Sequence, residues 1–280
     1  MKKVIVTGHK GFIGRSLLNE LKRDNYDVYG LDESYFSEEN WTKVLLMHLN
    51  KVNPDVVFHV GACSDTLEQN VDYMMTRNYE STKIIMDWCY ENNCPMIYSS
   101  SAANYGINNE YPSNLYGWSK YTAEIYVISH GGIALRYFNV YGPGEEQKGK
   151  MASVAYQMHL RYLDGKDILL FPKKPQRDFV YVKDVVAANL FALENYQRLK
   201  GKYYEVGFGE ARGFEDVLNN MGIKYEYTDD NKIPIGYQFY TCSNSNKWMD
   251  GWKPTWNLED GIRDYKNYLE SENIKIDKIV

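Results

Sequence analysis

Apolar runs of strand length alternate with longer amphipathic stretches through the first half of the chain. The runs are Lys3–Thr7, Val28–Leu31, Val56–Val60, Met96–Ser99 and Ile133–Phe138. Helix-length segments separate them: one from about Phe12, then Glu38 to Val52, Val71 to Tyr90 and Leu115 to Ser129. A strand, a crossover helix and a further strand in strict alternation predict parallel pairing with helices on both faces. The expected fold class is therefore α/β, a Rossmann-type doubly wound parallel sheet. Ser37 reads as an N-cap that sets Glu38 and Glu39 in a first helical turn, where the helix dipole favours acids. Asn53-Pro54 and Gly131-Gly132 read as stops.

Beyond Gly142 the alternation weakens, and Gly, Pro and polar residues become frequent through about Gln176. This predicts a nucleotide-binding part from residues 1–142 and 178–206, and a smaller substrate-binding part from residues 143–177 and 207–280. No repeat, low-complexity tract or linker separates them, so the second part should pack against the first.

Composition narrows the possible partners. With 280 residues, 44% of them hydrophobic, the chain can bury a sizeable core. A formal charge of −5 gives no reason to expect nucleic acid or a membrane surface as partner. No apolar stretch approaches the ~20 residues that span a bilayer, and the N-terminal residues run straight into a strand; the expectation is a cytoplasmic protein. The 4 cysteines and 5 histidines show no metal-ligand spacing, so no metal site is expected.

Gly8, Gly11 and Gly14 follow the first strand and open the first helix, together with Phe12 and Ile13. Glycines there allow a tight turn and close backbone approach, while the helix N-terminus offers free N–H groups to a dinucleotide pyrophosphate. Asp32 follows the second strand, where an acid accepts hydrogen bonds from the adenosine ribose hydroxyls. Glu33 comes next, and no Lys or Arg occurs from there until Lys43. A ribose 2′-phosphate would meet like charge, which favours NAD, with NADP as the other possibility.

Tyr116 and Lys120 are four residues apart, on one helix face, and Ser101 closes the serine run after the fourth strand. A phenol with an ordinary pKa near ~10 is a poor base at neutral pH, and bringing it near ~7 takes about 4 kcal/mol of phenolate stabilisation. A neighbouring ammonium and a nicotinamide cation are suited to supply that.

These residues resemble the serine, tyrosine and lysine of the extended short-chain dehydrogenase/reductase family. Gly61-Ala62-Cys63, Asn78, Arg136 to Pro143 and Arg177 to Asp184 are similar to the same family, so the resemblance covers nearly the whole chain. It implies that Ser101 hydrogen-bonds the reacting oxygen, Tyr116 moves the proton and Lys120 also holds the nicotinamide ribose. Cofactor contacts are implied at Gly61, Ala62, Cys63, Asn78 and Val140. Homo-oligomers are implied too, of no particular size.

Within that family the likeness is to the ADP-glyceromanno-heptose 6-epimerase branch, on Gly61 to Ser64, Tyr73-Met74-Met75, Lys148 to Ala155 and Gly236-Tyr237-Gln238. It implies a nucleotide-diphosphate sugar as substrate and Lys148 as a second acid/base. Substrate contacts are implied at Ser64, Asn139, Arg177 and Tyr237, at Lys150 and Gln157, where the branch carries serine and histidine, and at Phe171, after which its loop differs. Arg177, with Lys173 or Lys174, is expected to clamp the diphosphate. The implied reaction is a transient oxidation, rotation of the sugar end and re-reduction on the other face.

Four other readings share parts of this pattern. A 4,6-dehydratase needs an acid just after the serine, where Ala102-Ala103 stand. A 4-epimerase or a ketosugar reductase keeps the same three residues. A cofactor-sensing protein without turnover typically lacks the tyrosine or lysine.

Overall fold

The computed structural model describes residues 1–61, 63–107, 110–229 and 238–271. The chain begins β1 (Lys3–Thr7), α1 (Phe12–Arg23), β2 (Asp27–Leu31), α2 (Trp41–Val52), β3 (Val56–His59), α3 (Val71–Met75) and α4 (Ser81–Glu91). It continues with β4 (Met96–Ser101), α5 (Leu115–Ser129), β5 (Ile133–Tyr137) and β6 (Asn139–Tyr141). The remainder contains α6 (Val154–Leu163), β7 (Leu169–Leu170), β8 (Gln176–Tyr181), α7 (Val182–Glu194), α8 (Tyr196–Leu199) and β9 (Lys202–Val206). Last come β10 (Ala211–Gly213), α9 (Phe214–Met221), β11 (Glu226–Tyr227) and α10 (Leu258–Ser271).

A six-stranded parallel sheet forms in the order β2-β1-β3-β4-β5-β9. Its inner strands are buried along nearly their whole length, because helices cover both faces; this explains their unbroken apolar sequence. On one face Leu17 and Leu21 of α1 meet Val185, Ala188 and Ala192 of α7. On the other, Leu45 and Leu49 of α2 pack with Ile85 and Cys89 of α4 and Ala123 and Val127 of α5. Each fully buried leucine contributes roughly 2 kcal/mol by transfer from water. A three-stranded sheet β10-β8-β6 and the pair β11-β7 join α6, α9 and α10 around a third core built on Tyr141, Phe179, Tyr181, Leu218 and Tyr265.

The direction of strand order reverses between β1 and β3, and such a switch opens a crevice at the strand carboxyl ends. The glycine turn after β1 lies there. β2 is the outer strand of the sheet, whereas the 3-2-1-4-5-6 arrangement places another strand beyond it. The short segment from Leu31 to Pro54 leaves no length for one.

Two helix expectations are corrected. The second helix starts at Trp41 with Asn40 before it, so Ser37 is not its N-cap and Glu38 and Glu39 are outside its first turn. The Asp32 carboxylate accepts the Glu33 N–H and starts a separate 3₁₀ turn, Glu33–Ser37, which the packing of Tyr35, Phe36 and Trp41 holds. The helix expected over Val71 to Tyr90 is interrupted by a π turn at Thr76–Glu80. Ser81 and Thr82 donate their hydroxyls to the carbonyls of Arg77 and Asn78 within this stretch, and the turn directs buried Asn78 toward the loop after β3. The stops are as expected, with Asn53 in the left-handed region at φ 48° and Gly131 at φ 83°.

Candidate active site

A cleft of about 910 Å³ runs along the carboxyl ends of the strands, from Asp32 and Phe36 past the glycine turn to Ser101, Tyr116 and Lys120. The glycine turn is built by close approach. Gly8 takes φ +61°, and a Cβ there would come within 2.5 Å of the Gly61 Cα. A Cβ on Gly14 would lie 2.2 Å from the Gly8 carbonyl oxygen, so side chains at these positions would push β1, α1 and the β3 loop apart. A Cβ on Gly11 would meet only that carbonyl, at 3.2 Å.

Behind the turn, Gly61 N–H donates to Thr7 Oγ1 at 2.9 Å, and Thr7 Oγ1 lies 2.7 Å from His59 Nδ1. His59 Nε2 lies 2.8 Å from Thr82 Oγ1. Burial, reinforced by Lys120, pushes the His59 pKa down to about 3, so this ring is a neutral spacer. Asn78 accepts the Cys63 N–H at 2.7 Å and donates to the Cys63 carbonyl at 3.0 Å and to Ser119 at 2.9 Å, which fixes the β3 loop against α5.

At the far end, Asn114 caps α5 by accepting the Gly117 N–H at 2.8 Å, and the first two turns present Tyr116 and Lys120 to the cleft. Burial raises the Tyr116 pKa while a hydrogen bond with Ser101 pulls it down. Burial brings Lys120 down to about 7, against the pull of Glu124 and Cys63. In the folded chain burial is the largest influence on both groups and shifts each toward its neutral form.

Glu124, one helical turn beyond Lys120, is a residue the sequence reading missed. Its two carboxylate oxygens take Arg136 Nε at 2.8 Å and Nη2 at 2.5 Å, and it also accepts from Ser100 at 2.6 Å and Asn104 at 3.1 Å. The buried pair locks α5, which carries Tyr116 and Lys120, to the β4 end that carries Ser101. Its only sequence signal is an acid four residues after a lysine on one helix face.

Lys148 enters the cleft from a loop between β6 and α6. Gly149 makes the bend, at φ 52° and ψ −121°, and the lysine nitrogen lies 5.5 Å from the Phe12 ring centroid. Burial holds its pKa below the ordinary lysine range, although nearby Glu145 opposes this.

The other sequence-selected residues divide into two groups. Phe12, Ile13, Glu33, Cys63, Ser64, Asn139 and Val140 line the cleft with the residues above. Lys150, Gln157, Phe171 and Arg177 are not among its lining residues. Gln157 donates to the carbonyls of Lys150 and Ala152, and Arg177 to those of Gln176 and Gln238. Ala62 and Tyr237 lie outside the described residues. Among the described residues no group of three or more His, Cys, Asp or Glu could hold a metal ion, and no helix is long and apolar enough to cross a membrane.

Two cations at the Asp32 end escaped the sequence reading. Lys10, from within the glycine turn, forms an ion pair with Asp32. That overturns the expectation of uncompensated acid there: Lys10 is near in space although the stretch after Glu33 holds no base until Lys43. The second is Arg77, which lines the cleft beside Phe36.

This arrangement defines a class of protein. Residues 4–207 match the model of the NAD dependent epimerase/dehydratase family, and the chain belongs to that family. An ADP-L-glycero-D-manno-heptose-6-epimerase from Brachyspira hyodysenteriae is 32% identical over 312 residues, covering 95% of this chain and 98% of that one. The crystal structure of the Helicobacter pylori ADP-L-glycero-D-manno-heptose-6-epimerase matches with a TM-score of 0.85 at 28% identity, covering 96% of each chain. A Thermus thermophilus UDP-glucose 4-epimerase solved with NAD shares the fold, with a TM-score of 0.80 and 24% identity over 96% of this chain and 99% of that one. NAD is the cofactor of the family, and the glycine turn fits it: the helix N-terminus faces the cleft and Gly11 leaves room for a pyrophosphate.

Proposed function

We propose that the chain is a nucleotide-sugar epimerase that inverts a carbon on a rotatable side chain of the sugar, with an ADP-linked heptose as the substrate. The observation that carries this reading is Lys148. A desolvated lysine from a separate loop enters the same cleft as Ser101, Tyr116 and Lys120, and a second proton-handling group is what two alkoxide orientations require. The heptose-epimerase relatives support the sugar class.

In this mechanism NAD, when bound, supplies the reversible hydride acceptor. Ser101 hydrogen-bonds the reacting oxygen. Tyr116 takes and returns the hydroxyl proton in one orientation of the sugar end, and Lys148 does so in the other. Lys120, brought by burial to a pKa of about 7, holds the nicotinamide ribose and exchanges a proton near neutral pH to supply a cation beside the phenolate. Gly8, Gly11, Gly14, Gly61 and the N-terminal residues of α1 seat the pyrophosphate, with Asn78 setting the β3 loop. Ser64 and Asn139 contact the sugar from the cleft wall. Residues 143–177 and 207–280 form the substrate-binding part, and Arg177, Tyr237, Lys150, Gln157 and Phe171 belong to its nucleotide and sugar contacts. The reading includes a cytoplasmic homo-oligomer, and NADP as a second cofactor in view of Lys10.

The test is proton NMR of ADP-heptose incubated with the enzyme in D₂O. Inversion at the side-chain carbon without deuterium at that carbon is expected for wild type. Lys148→Met should lose inversion at least a hundredfold while NAD binding stays intact. Inversion at the wild-type rate in that variant would remove Lys148 from the mechanism; inversion only at C4 of a UDP-hexose would replace the heptose.

A further inference from the structure

Arg77 has no role in the scheme above, yet it stands at the Asp32 end of the cofactor cleft. Its guanidinium carbon lies 3.7 Å from the Tyr73 ring centroid and 4.9 Å from that of Phe36, so two aromatic rings hold it in place. Among the described residues none of its guanidinium nitrogens has a hydrogen-bond acceptor, no carboxylate lies in ion-pair range, and its Nε is buried without a partner. A cation part-buried against aromatic rings with its donors unused is costly unless something else fills them. The acids nearby form no ion pair with it: Asp32 is taken by Lys10, Glu33 is exposed, and Asp65 and Glu68 accept the N–H groups of Leu67 and Asn70.

The sheet topology explains what belongs there. β2 is the outer strand, so the wall that a further strand would give the adenosine end of the crevice is missing. The 3₁₀ turn Glu33–Ser37 supplies Tyr35 and Phe36 on one side, and the π turn supplies Arg77 on the other. An adenine ring offers acceptor nitrogens on its edge and a π face, both suited to an arginine already fixed in plane.

We propose that Arg77 is the adenosine anchor of the NAD site, donating to the adenine ring where the fold has lost its outer strand. The inference rests on the cofactor site and not on the sugar substrate, so it stands or falls independently of the epimerase reading.

Arg77→Met keeps the apolar stem between Tyr73 and Phe36 and removes every donor. Calorimetric titration with ADP-ribose and NAD should show affinity reduced tenfold or more in this variant. Binding of nicotinamide mononucleotide, which lacks adenosine, should stay within twofold of wild type and so shows that the site is folded. Arg77→Lys restores charge without the planar fork and should recover less than half of the lost binding free energy. Unchanged ADP-ribose affinity in Arg77→Met would overturn the proposal. So would a loss confined to NADP and 2′-phosphorylated adenosine, which would make Arg77 a phosphate ligand instead. Should Arg77→Met not fold, Phe36→Leu is the second variant: it frees the guanidinium on one side and should weaken ADP-ribose at least threefold, with no change counting against the anchor.

Discussion

Lys10 and Asp32, which flank the two ends of the first helix crossover, meet as an ion pair at one end of the cleft. The contact follows from packing. A Cβ on Gly30 would lie 2.3 Å from the His9 ring, so the glycine turn lies flat on β2 and carries Lys10 over the strand end. The pair lowers the Asp32 pKa, although partial burial opposes it.

Because Lys10 is 68% exposed, the pair contributes little to stability, no more than about 1 kcal/mol. Its effect is on ligand choice. Lys10→Ala should leave the melting temperature within about 2 °C and NAD affinity within threefold. NADP affinity should fall at least tenfold, since an uncompensated Asp32 then faces the 2′-phosphate. Parallel titrations with the two dinucleotides at fixed salt measure the ratio, and a constant ratio would refute the role.

Glu124 and Arg136 form the opposite kind of pair, with relative side-chain exposures of 1% and 7%. Removing one partner strands a buried charge. Glu124→Ala should cost about 3–5 kcal/mol in urea unfolding. Because the pair ties the Tyr116 helix to the Ser101 strand, the milder Glu124→Gln should lower kcat more than it raises KM. An equal loss in both would indicate a structural role only.

His59 should make the fold acid-sensitive. Its pKa falls from 6.5 to about 3 on folding, so between those values the unfolded chain binds the extra proton. The contribution is fully present above about pH 6.5 and is lost as pH falls toward about 3, amounting to about 3 kcal/mol by pH 4.5. His59→Asn, which cannot titrate, should flatten that part of the stability curve measured by denaturant unfolding from pH 7 to 4.5. An unchanged slope would assign the acid sensitivity elsewhere.

Local information carried much of this protein. The alternation of apolar runs and amphipathic segments determined the parallel sheet, since period and run length are properties of neighbours in the chain. Glycine spacing determined the turn after β1, and the Tyr116–Lys120 spacing put both residues on one face of α5. What failed were features set by side-chain packing and contacts through space rather than by spacing along the chain. Ser37 has the chemistry of an N-cap, but the aromatic packing of Tyr35, Phe36 and Trp41 moves the helix start to Trp41. The lack of a base in the stretch after Glu33 says nothing about Lys10, which arrives from the preceding turn. The burial of Tyr116 and Lys120 was also out of reach, because their spacing puts them on one helix face while only the folded core supplies the desolvation that shifts both toward neutrality. Sequence by itself determined the order of elements and the residue types at the cleft. Tertiary structure decided which charges meet, which are buried and which are left for a ligand, because those depend on distances through space that no spacing along the chain encodes.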